Sequence, residues 1–249
     1  MDKELLSIEI VEDRTAQSRC DEGFLKLVRL TVRNRYSDGS VSAPYPCDVL
    51  RRPGSDAVVA VLWQRGADGR PEVLLREAPR VPVYLRKDQQ FVHPDPRVYL
   101  SLLEPVAGMV EAGDAPGQAG LAHRAAVEAR EEAGLVVAES DFEPMGGETF
   151  ASPGTGDEKL YFQAAEAPLA RAGGGDGDGS IMEEWGRMHV LPLREAIERA
   201  RNGGIPDMKT EVALLRLADH IGYLPQLDLF IDELPLECRA RFSRLGVQP

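Results

Sequence analysis

Apolar and polar residues alternate along residues 5–12 and 24–36, the second reading FLKLVRLTVRNRY, with the period of half-buried strands. A turn, SDG, follows, and then VSAPYPCDVL, in which Pro44 and Pro46 suit an edge or connecting segment better than a central strand. Residues 1 to about 50 therefore read as a small antiparallel sheet. The pattern then changes from alternating to continuously apolar. AVVAVLW (57–63) and EVLLRE (72–77), joined by RGADGR, read as a hairpin in a more buried sheet.

From 81 to 97 the chain is punctuated by Pro82, Pro94 and Pro96 and reads as a loop. YLSLLEPVA reads as one strand, leading into the turn GMVEAGDAPGQAG and then a helix that ends at Ala133 with Gly134 as its stop. Strands are expected near 142–150 and 160–164, and the run AGGGDGDGS (172–180) has the composition of a flexible connection. MHVLP then reads as a short strand, REAIERARNGG as a helix with a glycine stop, and MKTEVALLRLADHI as an amphipathic helix. A final helix is expected over ECRARFSRLG. The resulting organisation is an N-terminal β subdomain over 1–52, a central domain over 53–222 and a helical tail over 223–249.

Composition narrows the partners. A formal net charge of −12 disfavours nucleic acid and anionic membrane surfaces, both of which recruit Lys and Arg. An anionic substrate would need locally placed arginines or a metal. Cys20, Cys47 and Cys238 are few, far apart and odd in number, which favours a reducing compartment. Without a signal-like apolar run or a membrane-length one, the expectation is a cytoplasmic protein.

The chemistry concentrates in VEAREEAGL (127–135). Spacings of three and four place Glu128, Glu131 and Glu132 close together on a helix, where like charges repel unless water or a cation intervenes. A hard divalent ion suits such a cluster. The segment GMVEAGD…VEAREEAGL resembles the Nudix box, the loop–helix–loop signature of Nudix hydrolases. Gly108 matches its first glycine, Glu128, Glu131 and Glu132 its metal-binding glutamates, and Gly134 and Leu135 its close. Asp114 stands where the family has glutamate, Val127 where it has arginine, and twelve residues separate these two positions where the family has seven. The glycines at 117 and 120 suggest that the extra residues widen the loop, and Arg124, one turn before Glu128, is positioned to replace the missing arginine.

ETFASPGTGDEKLYF (148–162) is similar to the Ser-Pro-Gly element of ADP-ribose pyrophosphatases, as is PVAGMVEAG (105–113) to the start of their box. The resemblance implies an α/β/α sandwich with a mixed sheet, and Mg²⁺, with Mn²⁺ as substitute, held by Glu128, Glu132, Glu131 and the carbonyl of Ala107. It also implies a catalytic carboxylate after the box, for which Glu183 and Glu184 are the candidates beside Glu131. Arg52, Arg80, Gly108 and Glu158 are the candidate substrate contacts, arginine being shaped for bidentate grip on phosphate. The implied reaction is Mg²⁺-dependent hydrolysis of a nucleoside diphosphate sugar, ADP-ribose first, to AMP and ribose 5-phosphate by a homodimer. The alternative is a catalytically impaired domain that binds or senses the same ligand. The four histidines show no ligand spacing and read as structural or surface residues.

Overall fold

Seven consecutive apolar residues, Ala57 to Trp63, are satisfied only when both faces of their strand are covered. That is what the chain does with them. In a computed structural model, which describes residues 19–173 and 186–242, Val59 and Val61 point into one core with Ile197, Leu214 and Leu217. Val58, Ala60 and Leu62 point into a second core with Ala125, Ala129 and Ala133. The period-two alternation of a strand thus splits one apolar run between two layers of helix, giving a helix–sheet–helix sandwich.

In chain order the elements are β1 (Lys26–Val32), β2 (Tyr45–Arg51), β3 (Ala57–Arg65), β4 (Pro71–Pro79), α1 (Val81–Tyr84), β5 (Ser101–Glu104), β6 (Val106–Met109), α2 (Gln118–Ala133), β7 (Glu143–Pro144) and β8 (Thr149–Phe150). They continue with β9 (Lys159–Glu166), β10 (Arg187–Pro192), α3 (Leu193–Arg201), α4 (Met208–Ile221), β11 (Tyr223–Leu224), β12 (Leu229–Phe230) and α5 (Leu236–Arg239). The main sheet runs β10-β4-β3-β9-β7, with β5 on β4, β6 on β3 and β8 on β9. It is mixed: β3 and β9 are parallel, and the other pairs are antiparallel.

The feature that positions the site is a split in this sheet. β3 and β4 pair directly only beside their turn, from Trp63↔Val73 to Arg65↔Pro71. Further on, β4 pairs with β5 (Arg76↔Glu104 to Pro79↔Ser101) and β3 with β6 (Ala60↔Val106 to Ala57↔Met109). The chain therefore runs up one side to Pro105, turns, and returns down the other as a wedge. The single strand expected for YLSLLEPVA is two strands, because Pro105 has no N–H for a ladder and sits at the apex.

α2 packs a stripe of small residues, Ala122, Ala125, Ala129 and Ala133, against the sheet. This lets the helix lie close to β6. It ends at Gly134, whose φ of 66° is left-handed, as a C-terminal glycine stop requires. Two further expectations need correction. The 81–97 segment is not wholly loop: Val81–Tyr84 forms a helical turn, with Pro82 in the first turn where its missing N–H costs nothing, and Leu85–Asp88 continues as 3₁₀. In the tail the described residues hold a 3₁₀ turn at Ile231–Glu233 and one α-helical turn at Leu236–Arg239, with 243–246 of the expected helix outside them, while Tyr223 and Phe230 join the core through the β11–β12 hairpin.

β1 and β2 form a separate two-stranded ribbon, in register from Lys26↔Arg51 to Val32↔Tyr45. Pro46 is accommodated because β1 lies along one edge of β2 and the other edge is bridged at Leu50, to Gly156, and not at Pro46. The strand expected over 5–12 and the glycine-rich run from 174 lie outside the described residues. No helix among the described residues is long and apolar enough to cross a membrane.

Candidate functional site

Two carboxylates of α2 reach the inner edge of β6. Glu128 is buried, at 9% exposure, and its carboxylate occupies the space beside Gly108. A Cβ at 108 would lie 1.8 Å from Glu128 Oε1, so only glycine admits this approach. One turn on, Glu132 Oε2 accepts a hydrogen bond from the Ala107 amide at 3.1 Å. In an antiparallel strand the N–H and C=O of one residue face the same edge. The Ala107 carbonyl therefore faces the same side as the Glu132 carboxylate, into the split between β6 and β5.

Each carboxylate has a guanidinium beside it. Arg76, itself buried at 6% exposure, projects from β4 and its Nη1 lies 3.2 Å from Glu132 Oε1. Arg124 Nη1 lies 3.7 Å from Glu128 Oε1. Arg124 also donates from Nε and Nη2 to the two oxygens of Asp114, at 3.0 and 2.9 Å. Asp114 in turn accepts from the Glu111 amide at 2.8 Å, closing the turn after β6. The hydrogen bonds from Arg124, followed by that from the amide, hold the Asp114 carboxyl below its ordinary range against the opposing effect of burial. Arg124 thus joins Asp114 to Glu128, the link for which Val127 has no side chain.

The twelve residues between Asp114 and Val127 divide between loop and helix. Gly117, at φ 78°, precedes the helix, while Gly120 lies in its first turn, where a Cβ would meet the Ala115 carbonyl oxygen at 1.7 Å. The loop folds back over the helix, and glycine is needed there for closeness.

Opposite, on β5, the buried Glu104 takes Arg80 Nε at 2.5 Å and Lys209 Nζ at 3.1 Å. Burial raises its pKa, but the charges of Lys209 and Arg80 outweigh that and leave it lowered. Arg80 therefore stands on the other wall of the split from the α2 carboxylates. Glu131 is further out, with its side chain 27% exposed and Arg130 at 3.4 Å. Arg52 and Glu158 meet in an ion pair and line a cavity of about 220 Å³ between the ribbon and the 152–158 loop, with Leu25, Leu50, Ser152 and Thr155. Glu183 and Glu184 lie outside the described residues. Gly186, just after them, abuts Arg76, since a Cβ there would come within 2.9 Å of its Nε.

The sequence expectations thus gather Ala107, Gly108, Glu128 and Glu132 at one point, Arg80 across from them, and Arg52 with Glu158 in a neighbouring cavity. Arg76, Glu104 and Lys209 were missed: each sits in an ordinary strand or helix pattern, and only the sheet split reveals its neighbours. His123, His189 and His220 pair with Glu139, Glu77 and Glu143.

The donors at Ala107–Glu128–Glu132 are hard oxygens. Among the described residues no three His, Cys, Asp or Glu side chains are grouped to hold a metal. Two carboxylates and a carbonyl nevertheless suit Mg²⁺, which keeps several waters and usually takes one or two carboxylates plus substrate phosphates. No protein-family model matches the chain, and no curated protein matches it.

Proposed function

We propose that the chain is a Nudix-type hydrolase that cleaves the diphosphate of a nucleoside diphosphate sugar, with ADP-ribose as the first candidate. The observation that carries this reading is the approach of Glu128 onto Gly108 with Glu132 one turn away on Ala107. It brings two carboxylates and a carbonyl to one point. Glu128, Glu132 and the Ala107 carbonyl would hold Mg²⁺, with Glu131 as a further ligand directly or through water. When bound, the ion supplies Lewis-acid stabilisation of the charge that develops on the diphosphate and lowers the pKa of a bound water.

The chain's own residues do the rest. Arg76 and Arg124 orient Glu132 and Glu128 and limit their mutual repulsion. Arg80 faces the split from the β5 side and is suited to hold a phosphate oxygen. The cavity holding Arg52 and Glu158 offers apolar walls, hydroxyls and an ion pair to a nucleoside or sugar. One of Glu183, Glu184 and Glu131 accepts the proton of the attacking water.

The reading includes a homodimer built on the β1–β2 ribbon, where Leu30, Tyr36, Val41 and Tyr45 are exposed. A two-stranded ribbon is marginal by itself, and apolar exposure on it favours a covering surface. A second reading has its own observation. Both α2 carboxylates already have a guanidinium within 4 Å, so the arginines can stand in for a metal in a protein that binds the nucleotide sugar without cleaving it.

The deciding experiment incubates the protein with ADP-ribose, ADP-glucose, UDP-glucose, GDP-mannose and diadenosine polyphosphates, with Mg²⁺ or EDTA. Mononucleotide release that needs Mg²⁺ and is lost in Glu128→Gln and Glu132→Gln is the expected result. Calorimetric binding of ADP-ribose without turnover of any compound would select the sensor.

A further inference from the structure

We propose that Lys209, which comes from the helical layer opposite the acidic helix, is a substrate-positioning residue whose ammonium joins the Arg80 guanidinium to receive a phosphate of the nucleotide. The inference rests on the reading of the split as a diphosphate site. Its basis is a charge imbalance. A buried carboxylate needs one cation to compensate it, yet Glu104 has two, Arg80 and Lys209, with side-chain exposures of 35% and 17%. The surplus is one positive charge, partly removed from water, in a chain of net charge −12.

Donors are also in surplus. Lys209 has three N–H groups and Arg80 five. Glu104 accepts from one nitrogen of each, and the Arg80 Nη groups have no partner among the described residues.

The location is fixed from two sides. Glu104 is the register partner of Arg76, which contacts Glu132. Glu104 also precedes Ala107 by three residues around the Pro105 apex, about 10 Å of chain at most. Lys209 is held there by the first turn of α4. Asp207 accepts from the Thr210 amide at 2.9 Å, and the Thr210 hydroxyl, fully buried, lies 3.3 Å from the Leu103 carbonyl oxygen on β5. The cations are thus pre-placed, and little ordering is required when an anion arrives.

The test compares Lys209→Met, Lys209→Arg and the double variant Lys209→Met/Glu104→Gln. With ADP-ribose and Mg²⁺, Lys209→Met is expected to raise KM at least tenfold with kcat within threefold, and Lys209→Arg to recover most of the loss. The double variant removes the Glu104 charge together with that of Lys209 and so returns the cluster to its original net charge, one positive carried by Arg80; it is expected to keep the raised KM. A double variant with the KM of the unaltered protein would overturn the proposal, because Lys209 would then only neutralise Glu104. Calorimetry with ADP separates the two readings. ADP binding weakened tenfold by Lys209→Met, in a protein that hydrolyses nothing, upholds Lys209 and ends the hydrolase reading; no ADP binding and no turnover by the unaltered protein ends both.

Discussion

The split in the main sheet and the β1–β2 ribbon invert the usual distribution of side chains in opposite senses. At the split, charged groups are inside: Arg76, Glu104, Arg124 and Glu128 are each 9% exposed or less. On the ribbon, apolar groups are outside: Leu30 and Tyr45 are each 43% exposed. Buried charges are tolerated only when paired, and at the split each has a counter-charge within hydrogen-bonding or ion-pair distance. The ribbon is tied to the rest of the chain at one end, where Leu50 bridges to Gly156, and Leu30 and Tyr45 stay exposed. Under the proposed reading the split, complete as a folded unit, receives the ligand, and the exposed ribbon receives a second copy of the chain.

Breaking a pair at the split should therefore have the largest effect. Arg76→Ala removes the guanidinium from Glu132 and is expected to cost about 3–5 kcal/mol, read as a fall in the denaturant midpoint. Gly108→Ala comes next. Its Cβ would lie on the Glu128 carboxylate, so overpacking of about 1–3 kcal/mol is expected, together with at least a tenfold loss of any Mg²⁺-dependent hydrolysis.

A smaller effect follows from pH. The folded-state pKa of Glu104 is lowered from 4.5, so its ion pairs contribute stability above that value and lose it as pH falls through the folded value. Glu104→Gln should flatten the acid limb of stability below about pH 4.5. A limb unchanged in this variant would mean that the Glu104 pairs contribute nothing to folding. The smallest effect on stability belongs to the ribbon. Leu30→Asp should change unfolding free energy by no more than about 0.5 kcal/mol, yet sedimentation should show a loss of dimer. A monomeric unaltered protein would remove the ribbon's side of the comparison.

The two regions were not equally legible in the sequence. Alternation located the β1 strand, and the continuous apolar run located β3, because both patterns are local. The 3.6-residue period located α4 over Met208–Ile221, and Gly134 located the end of α2, which begins at Gln118, inside the expected turn. The acidic face was legible for the same reason: 128, 131 and 132 lie within one turn and a half. Arg124 was legible as a partner one turn away. Arg76 was not, because it lies 56 residues from Glu132 and its neighbours Leu74 and Ala78 mark it only as part of a strand. The sheet split was also missed. SLLEPVAGM has one apolar character throughout, and Pro105 carried the only signal that the chain turns there. Lys209 and Glu104 meet between layers, a relation that no periodicity records.

The central claim is that Glu128 and Glu132, brought against Gly108 and Ala107, bind a divalent cation. Titration with Mn²⁺, followed by electron paramagnetic resonance of the free ion, tests this without assuming a substrate. Saturable binding of at least one Mn²⁺ per chain is predicted, displaced by Mg²⁺ and weakened at least tenfold in both Glu128→Gln and Glu132→Gln. Absence of binding, or binding indifferent to both substitutions, would contradict the claim and leave the two carboxylates as partners of Arg124 and Arg76 alone.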